Sequence, residues 1–240
     1  MDLINKVAVV TGGSRGIGYA IARDLLRGGA SVVITGTKQE TVDSGLRGLQ
    51  SDVKGAQVHG VRADVRKYPE VEKLMAGAVE RFGGLDILIN NAGVGVFRPV
   101  SEMTVDEWHR IMDTNVSGVF YCCHAAIPHL RKRGAGWIIN ISSLAGKNAF
   151  VDGSAYCASK AGLNQFSESL MQEVRYDGIR VSYIMPGSVS TDFGGRGGAK
   201  GDWALTADDV AQVVTDLIGH PSRSLPSRVE MRPAQPPRKG

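Results

Sequence analysis

The chain has 240 residues, of which 42% are hydrophobic, and its formal net charge is +4. This length fits one large domain or two small ones, and no apolar run approaches the ~20 residues that a membrane-spanning helix needs. Residues 220–240 contain five basic residues and one acid and so account for the whole net charge, which indicates a solvated tail rather than a nucleic-acid-binding face.

The N-terminus and the cysteines favour a cytoplasmic protein. Residues 1–6 lack the basic-then-apolar order of a signal peptide. Cys122, Cys123 and Cys157 have neither the spacing of a disulfide framework nor that of a metal site, so each is expected to be a reduced, buried thiol. We therefore expect a cytoplasmic protein without a metal site.

Short apolar runs rich in valine and isoleucine alternate with longer segments of helical character along the chain. The runs lack strict alternation, which is typical of strands that are buried on both faces of a parallel sheet. The predicted strands cover residues 7–11, 31–35, 57–62, 86–90, 137–141, 180–185 and 228–232. The predicted helices cover residues 16–27, 39–50, 69–82, 105–133, 154–176 and 207–218, and a capping box of Thr104 and Glu107 begins the fourth.

Repeated strand–helix units predict an α/β fold of the Rossmann type: a doubly wound, mostly parallel seven-stranded sheet with helices on both faces. No linker or repeat interrupts the pattern before the end of the chain. We expect a single domain over residues 1–232 with a built-in substrate pocket, followed by a flexible basic tail at residues 233–240.

A glycine-rich loop joins the first predicted strand to the first predicted helix and predicts a dinucleotide site. Glycine lets the backbone approach phosphates closely, and the start of the helix offers free N–H groups to a pyrophosphate. A tight turn without a ligand is the alternative interpretation. The candidate cofactor-binding residues here are Gly12, Ser14, Arg15, Gly16, Ile17 and Gly18.

The turn after the second predicted strand indicates which cofactor is bound. An acid at this position would bind the ribose 2′-hydroxyl of NAD and repel the 2′-phosphate of NADP. Residues 34–39 contain no acid, whereas Arg15 and Lys38 could both face a 2′-phosphate. The sequence therefore predicts NADP(H). If Arg15 and Lys38 are only solvated surface charges, NAD(H) remains an alternative.

Two further motifs follow predicted strands, at the edge of the sheet where open α/β folds bind ligands. Asp64 and Val65 follow the third strand, where an acid can accept a hydrogen bond from the adenine amino group. Asn90 and Asn91 end the fourth strand and are followed by Ala92 and Gly93. Ordinary turn chemistry would also explain both motifs.

Tyr156 and Lys160 are four residues apart on a predicted helix, so their side chains should share one face. An ammonium beside a phenol favours the phenolate, and we expect it to lower the pKa of Tyr156 from ~10. Such a phenol is a suitable acid for proton transfer at a carbonyl oxygen. Ser143, thirteen residues before Tyr156, is a candidate partner.

Taken together, these motifs resemble the short-chain dehydrogenases/reductases, in the single-domain subfamily of about 250 residues. The matching motifs run in family order: Thr11–Gly18, Asp64-Val65, Asn90–Gly93, Asn115, Ile141–Ser143, Tyr156–Lys160 and Pro186–Thr191. The resemblance implies an NAD(P)-dependent oxidoreductase that acts on CH–OH groups.

The resemblance also implies a role for each matching residue. Tyr156 would protonate the substrate carbonyl oxygen as hydride arrives, while Ser143, rather than Ser142, would hold that oxygen. Lys160 would bind the nicotinamide ribose, and Asn115 would help to hold a water linked to Lys160. The remaining implied cofactor contacts are Thr37 near the adenosine, Asn91 near a ribose, and Pro186, Gly187, Val189 and Thr191 around the nicotinamide.

The sequence departs from the family pattern after Thr191 and at the C-terminus. Half of residues 192–201 are glycine where many relatives have a helical lid, so we expect an open or mobile pocket. Either Phe193 or Trp203 would be its aromatic cover, unless Trp203 packs on the body of the domain. The C-terminus is more similar to that of the broad-specificity alcohol and hydroxy-acid dehydrogenases.

Three functions remain open from the sequence. The leading hypothesis is interconversion of a ketone or aldehyde and an alcohol, with a small-molecule substrate. A reductase of 3-oxoacyl thioesters, carried by acyl carrier protein or CoA, is the second. A catalytically silent nucleotide-sensing protein is the third and most remote, because the tyrosine and lysine are both present. By the resemblance, the helices that carry Asn115 and Tyr156 would pair chains into a homodimer or homotetramer.

Overall fold

The computed structural model describes residues 2–191, 193–195 and 201–236. Over these residues the chain forms a parallel sheet in the order β3-β2-β1-β4-β5-β6-β7. The strands are β1 (Val7–Val10), β2 (Ser31–Gly36), β3 (Val58–Arg62), β4 (Ile87–Asn90), β5 (Gly136–Ile141), β6 (Ile179–Pro186) and β7 (Arg228–Met231). The predicted doubly wound parallel sheet is confirmed.

Helices cover both faces of the sheet, which explains why the strands are apolar on both sides. Within β1, Ala8 and Val10 face one core while Val9 faces the other. Helices α1 (Gly16–Arg27), α2 (Gln39–Asp52) and α7 (Ala207–Ile218) pack on the first core. Helices α3 (Tyr68–Phe82), α5 (Gly118–Arg133) and α6 (Ser154–Val174) pack on the second.

The fourth predicted helix, residues 105–133, is not continuous. Helix α4 (Val105–Met112) and α5 are separated by one wide turn of π-helix at Asp113–Ser117. The predicted capping box of Thr104 and Glu107 is present at the start of α4. Single π-helical turns inside α-helices are often found at functional sites, and this one contains Asn115.

The ends of the chain and the glycine-rich loop are described only in part. Phe193–Gly195 form a short 3-10 turn, whereas residues 192 and 196–200 of the predicted lid replacement lie outside the described residues. Residues 233–236 of the predicted tail are described, but Arg238 and Lys239 are not. The boundary at residue 232 therefore stays a prediction.

The described residues contain neither a membrane-spanning helix nor a cluster of metal-binding side chains. None of the helices they form has the length and apolarity required to cross a membrane. Likewise, no group of three or more histidine, cysteine, aspartate or glutamate side chains with metal-binding geometry occurs in the described part of the chain.

Candidate active site

A cavity of about 1470 Å³ lies at the carboxyl ends of the strands. Parallel strands place the loops that follow them at one edge, so motifs that are far apart in sequence meet there. The predicted site residues that line it are Gly12, Ser14, Arg15, Gly16, Ile17, Thr37, Lys38, Asp64, Val65, Asn91, Ala92, Gly93, Ser143, Tyr156, Lys160, Pro186, Gly187, Val189 and Thr191. Two predicted residues, Gly18 and Asn115, do not line it.

The glycine loop is braced by the motif that follows β4. The Asn91 side chain donates hydrogen bonds to the carbonyl oxygens of Thr11 (3.0 Å) and Gly12 (3.1 Å). In return, the Thr11 hydroxyl accepts from the backbone N–H groups of Asn91 and Ala92, both at 3.0 Å. Gly12 has a φ of 63°, which is in the left-handed region that favours glycine. The two motifs therefore form one rigid floor for the cavity.

Helix α1 starts at this floor with its first N–H groups available to an anion. Arg15 is the N-cap residue and provides no side-chain cap. The first turn of a helix carries unpaired N–H groups and a partial positive charge, which together suit a phosphate. Gly18 contributes by being small, because an added Cβ would lie 2.4 Å from both the Asn91 side chain and the Gly12 carbonyl oxygen.

Arg15 and Lys38 both line the cavity, and both residues are exposed. Lys38 is the N-cap residue of α2, directly after the turn in which the sequence lacks an acid. Neither cation takes part in an ion pair within the described part of the chain. Both charges are therefore free to bind an anion on a ligand.

Asp64 is bound by a neighbour that sequence reasoning missed. The Arg66 guanidinium donates to both carboxylate oxygens, with its shortest hydrogen bond at 2.6 Å. This contact holds the pKa of Asp64 below its usual value. Arg66 also lines the cavity. The sequence could have indicated this ion pair, because Asp64 and Arg66 are only two residues apart and both follow the third strand.

Tyr156 and Ser143 both line the cavity. Tyr156 is only 9% exposed, and this burial raises its pKa to about 12, while a hydrogen bond from the Ser143 hydroxyl acts in the opposite direction. The Ser143 oxygen also accepts from the Ala145 backbone N–H at 3.1 Å. By contrast, Ser142 is engaged with Asn164 on α6 at 2.5 Å. Of the two serines, only Ser143 has its hydroxyl on the phenol.

Lys160 follows Tyr156 by one helical turn, as predicted, but it does not lower the pKa of the phenol. Its ammonium lies 5.8 Å from the Tyr156 ring centroid and donates to the Ile141 carbonyl oxygen at 2.9 Å. Burial lowers the pKa of Lys160 itself to about 8. The expected decrease in the Tyr156 pKa was wrong for the polypeptide by itself, because burial raises the pKa of the phenol. The phenol is therefore in its proton-donating form at neutral pH.

Asn115 is fully buried behind the site, in the π-helical turn. Its amide oxygen accepts from the Val94 N–H at 2.8 Å, and its amide nitrogen donates to the Val94 carbonyl oxygen at 2.9 Å and to the Ser159 hydroxyl at 3.0 Å. These bonds tie the loop after β4 to α6, one residue from Lys160.

The wall around Tyr156 is aromatic, and sequence reasoning found only part of it. Phe193 and Trp203, the two predicted alternatives for an aromatic cover, both line the cavity. Phe97 and Phe150 line it as well and were missed. Both residues lie in loops that follow strands, and this position in the sequence could have identified them as cavity residues. Beside Phe193, the chain is anchored by hydrogen bonds from Ser190 to Leu205 (2.8 Å) and from Leu205 to Ser188 (2.9 Å).

The chain is similar to known oxidoreductases in both sequence and structure. The short chain dehydrogenase family matches over residues 6–200. A 3α-hydroxysteroid dehydrogenase of Mediterraneibacter gnavus is 38% identical over 192 residues, which is 80% of this chain and 77% of the relative. Among solved structures, a metagenomic short-chain oxidoreductase in complex with NADP is 36% identical, with a TM-score of 0.85 over 98% of this chain and 99% of the other. An actinorhodin polyketide ketoreductase variant with NADPH is 30% identical, with a TM-score of 0.88 over 95% and 96%.

Proposed function

The chain belongs to the short-chain dehydrogenase family and is an oxidoreductase acting on CH–OH groups, and on that premise we propose that it reduces a ketone or aldehyde with NADP(H) and Tyr156 as the acid. The observation that carries the proposal is the pairing of a buried phenol with Ser143 in the cavity at the ends of the strands. The reverse oxidation would use the same groups.

The polypeptide supplies a proton and an oxyanion site. Tyr156 keeps its proton at neutral pH and would donate it to the carbonyl oxygen of the substrate. Ser143 would donate a second hydrogen bond to the same oxygen, so the two hydroxyls together would stabilise its developing negative charge. Lys160 would hold ribose hydroxyls, and Asn115 would act indirectly by fixing Val94 and Ser159 around it.

The glycine loop fits a dinucleotide. A Cβ at Gly12 would lie 3.1 Å from both Asn91 and Ala92, so the floor admits backbone only. Bound there, a nicotinamide cofactor supplies the hydride. A cavity of about 1470 Å³ exceeds the roughly 300–1,000 Å³ of a typical single-ligand pocket, which supports space for a cofactor and a substrate together.

We assign the remaining cofactor contacts by position along the cavity. Arg15 and Lys38 would bind the 2′-phosphate, which favours NADP(H), and the similar solved structures with NADP and with NADPH support this choice. Asp64, held by Arg66, and Val65 would meet the adenine. Asn91, Ala92 and Gly93 would lie along the ribose, and the contacts proposed for the nicotinamide are Pro186, Gly187, Val189 and Thr191.

A reductase of 3-oxoacyl thioesters is the second candidate, and one observation favours it. Glu230 pairs with both Lys147 (2.5 Å) and Arg232 (3.0 Å), so this cluster has two cations and one acid. Arg232 also lines the cavity. Acyl carrier protein is acidic, and a positive cluster beside the cavity would attract it.

We further propose that the chain forms homodimers or homotetramers in the cytoplasm. Phe120 on α5 is 47% exposed and lies 6.5 Å, centroid to centroid, from Phe166 on α6. This aromatic face would be covered by a second copy of the chain. All three cysteines are free and buried, which suits a reducing compartment. Sedimentation of the native chain and of Phe120→Glu measures the assembly.

The test of the reaction is NADPH oxidation, followed by its absorbance, with a panel of ketones, hydroxy acids and 3-oxoacyl thioesters. We expect Tyr156→Phe to reduce turnover by about 10³-fold or more, because general acid catalysis typically contributes 10²–10⁴-fold. NADPH affinity, measured by fluorescence, should stay within about threefold, since the ring remains. Near-normal turnover in this variant would remove Tyr156 from the mechanism.

A further inference from the structure

Three loops each bring one phenylalanine to the cavity, and two of these, Phe97 and Phe193, contact Tyr156. Phe97 follows β4, Phe150 follows β5 and Phe193 follows β6, and these are adjacent strands of the sheet. The chain has only six phenylalanines in 240 residues. Half of them therefore line the cavity beside the proposed proton donor.

The three phenylalanine rings form a connected set around the phenol. Phe97 meets Tyr156 edge to face, with 5.5 Å between centroids and 73° between planes. Phe193 lies 5.6 Å from Tyr156, and Phe150 lies 5.8 Å from Phe97. We call Phe97, Phe150 and Phe193 the phenylalanine box.

Three glycines pack against the phenylalanine rings and leave the rings no space to move away from the cavity. A Cβ at Gly95 would lie 2.9 Å from both Phe97 and Phe193. A Cβ at Gly194 would lie 2.6 Å from Phe97, and one at Gly153 would lie 2.6 Å from Phe150. Each ring thus packs directly on backbone, which fixes its position more firmly than a flexible side chain would.

The box nevertheless keeps apolar surface on the cavity side. Phe150 is 43% exposed and Phe193 is 40% exposed although both line the cavity. Arg98, which directly follows Phe97 in the sequence, is paired with Glu107 at 3.1 Å. Exposed aromatic surface in a concave site is stabilised when an apolar ligand covers it.

We propose that the phenylalanine box binds a flat apolar ring next to the reacting carbonyl, so that the substrates are aryl or fused-ring ketones rather than linear acyl compounds. This inference rests on the proposed reductase function and adds a substrate class to it. Fixed aromatic walls favour flat ring faces and edges through stacking contacts, whereas adaptable walls of methionine would accept linear chains equally well.

The first experiment compares two ketones that differ only by a fused ring. With NADPH saturating, we expect kcat/KM for 2-tetralone to exceed that for cyclohexanone by about 30-fold or more, because a single methylene group in an apolar pocket already changes kcat/KM by roughly 10–200-fold and the fused ring buries more apolar surface than that. An acetoacetyl thioester should be reduced no better than cyclohexanone. If the linear thioester is the best substrate, the phenylalanine box does not select ring ketones, whereas the proposed reduction of carbonyl compounds still holds.

The second experiment changes the box itself. Phe97→Leu and Phe150→Leu keep apolar volume but remove the flat ring, and each should lower the 2-tetralone to cyclohexanone ratio by about tenfold. Gly95→Ala should lower the ratio similarly by pushing two rings into the cavity. Tyr176→Ala is the matched control, because this aromatic side chain is 93% exposed and does not line the cavity.

The readouts separate the two proposals. NADPH affinity should stay within about threefold of the native value in the three box variants, and only Tyr176→Ala should leave the rates with both ketones unchanged. If all variants leave the ratio as it is, the box does not select the substrate. If no carbonyl compound is reduced although NADPH binds, the proposed function itself fails, and the box proposal fails with it.

Discussion

The side-chain amide of Asn115 pairs with both backbone polar groups of Val94. The two hydrogen bonds are 2.8 Å and 2.9 Å long, and a third, at 3.0 Å, reaches Ser159 on α6. A regular α-helix over residues 105–133 would present its side chains at a different angle, so the π-helical turn at Asp113–Ser117 accompanies this orientation of Asn115. A helical irregularity thus joins the loop after β4 to the helix that carries Tyr156.

We predict that Asn115→Ala lowers the free energy of unfolding by about 3 kcal/mol. The variant would leave the N–H and carbonyl of Val94 without their partners, and each buried group left unsatisfied costs roughly 1–3 kcal/mol. Urea unfolding measures the change. Gln212→Ala, which removes an exposed amide that bonds Asp216 one turn away on α7, should cost less than about 0.5 kcal/mol. Equal effects of the two substitutions would contradict a structural role for Asn115.

The sheet and most helices could be predicted because their signal is local. Runs such as Val7–Val10 are apolar on both sides and alternate with helical segments, which identifies a doubly wound sheet. The π-helical turn could not be predicted, since Asn115 is an ordinary helical residue by propensity. What displaces it is a contact with Val94, 21 residues away.

Buried Lys160 makes the stability of the chain depend on pH. Its pKa is lowered by burial from 10.5 to about 8, so between these values the unfolded chain carries one more proton than the folded chain. Raising the pH through this window therefore stabilises the folded state. We predict that the native chain gains about 2.5 kcal/mol relative to Lys160→Met between pH 7 and pH 10.

Urea unfolding of both proteins at pH 7, 8, 9 and 10 measures this difference, and other titrating groups cancel in it. Tyr156, whose pKa is raised to about 12, acts with the opposite sign only above pH 10. Lys54→Met, which removes an exposed lysine, is the control. Relative to Lys160→Met, it should gain as much free energy of unfolding between pH 7 and pH 10 as the native chain does. A constant difference across the pH range would mean that Lys160 is not held in an unfavourable environment.

The candidate site could be predicted where the backbone requires a particular residue type. It was harder to predict where burial and charge determine the pKa of a side chain. The glycine loop requires a glycine at residue 12 and is braced by the side chain of Asn91. The motifs that contain these two residues could be recognised in the sequence. The direction of the Tyr156 pKa shift was missed, because the burial that raises this pKa depends on how the folded chain surrounds the phenol. Phe97 and Phe150 were missed because they lie in loops that follow different strands, and these loops meet only in the folded chain.

Arg15 and Lys38 should distinguish the two cofactors. We predict that Arg15→Ala and Lys38→Ala each raise the KM for NADPH by about tenfold or more, since a charge-assisted hydrogen bond to phosphate is lost. The KM for NADH should change by less than about threefold, because NADH lacks the 2′-phosphate. Lys54→Ala, on an exposed lysine that does not line the cavity, is the control for net charge. A native preference for NADH would refute the choice of cofactor.

The contact between Gly18 and the glycine loop gives the sharpest structural prediction. In α1, a Cβ at residue 18 would lie 2.4 Å from the Gly12 carbonyl oxygen and 2.4 Å from the Asn91 side chain. The carbonyl belongs to the backbone, so it cannot move without shifting the loop. We expect Gly18→Ala to lower the free energy of unfolding by about 2 kcal/mol or more and to weaken NADPH binding by at least about tenfold.

The matched substitution is Gly77→Ala, in the middle of α3, where an added Cβ would meet nothing within 4 Å. Alanine is favoured over glycine inside a helix by up to about 1 kcal/mol, so this variant should be more stable than the native chain and bind NADPH unchanged. Thermal unfolding and cofactor titration of both variants measure the contrast. If Gly18→Ala were as harmless as Gly77→Ala, the close packing of α1 against the loop after β4 would be disproved, and with it the rigid floor on which the proposed cofactor site depends.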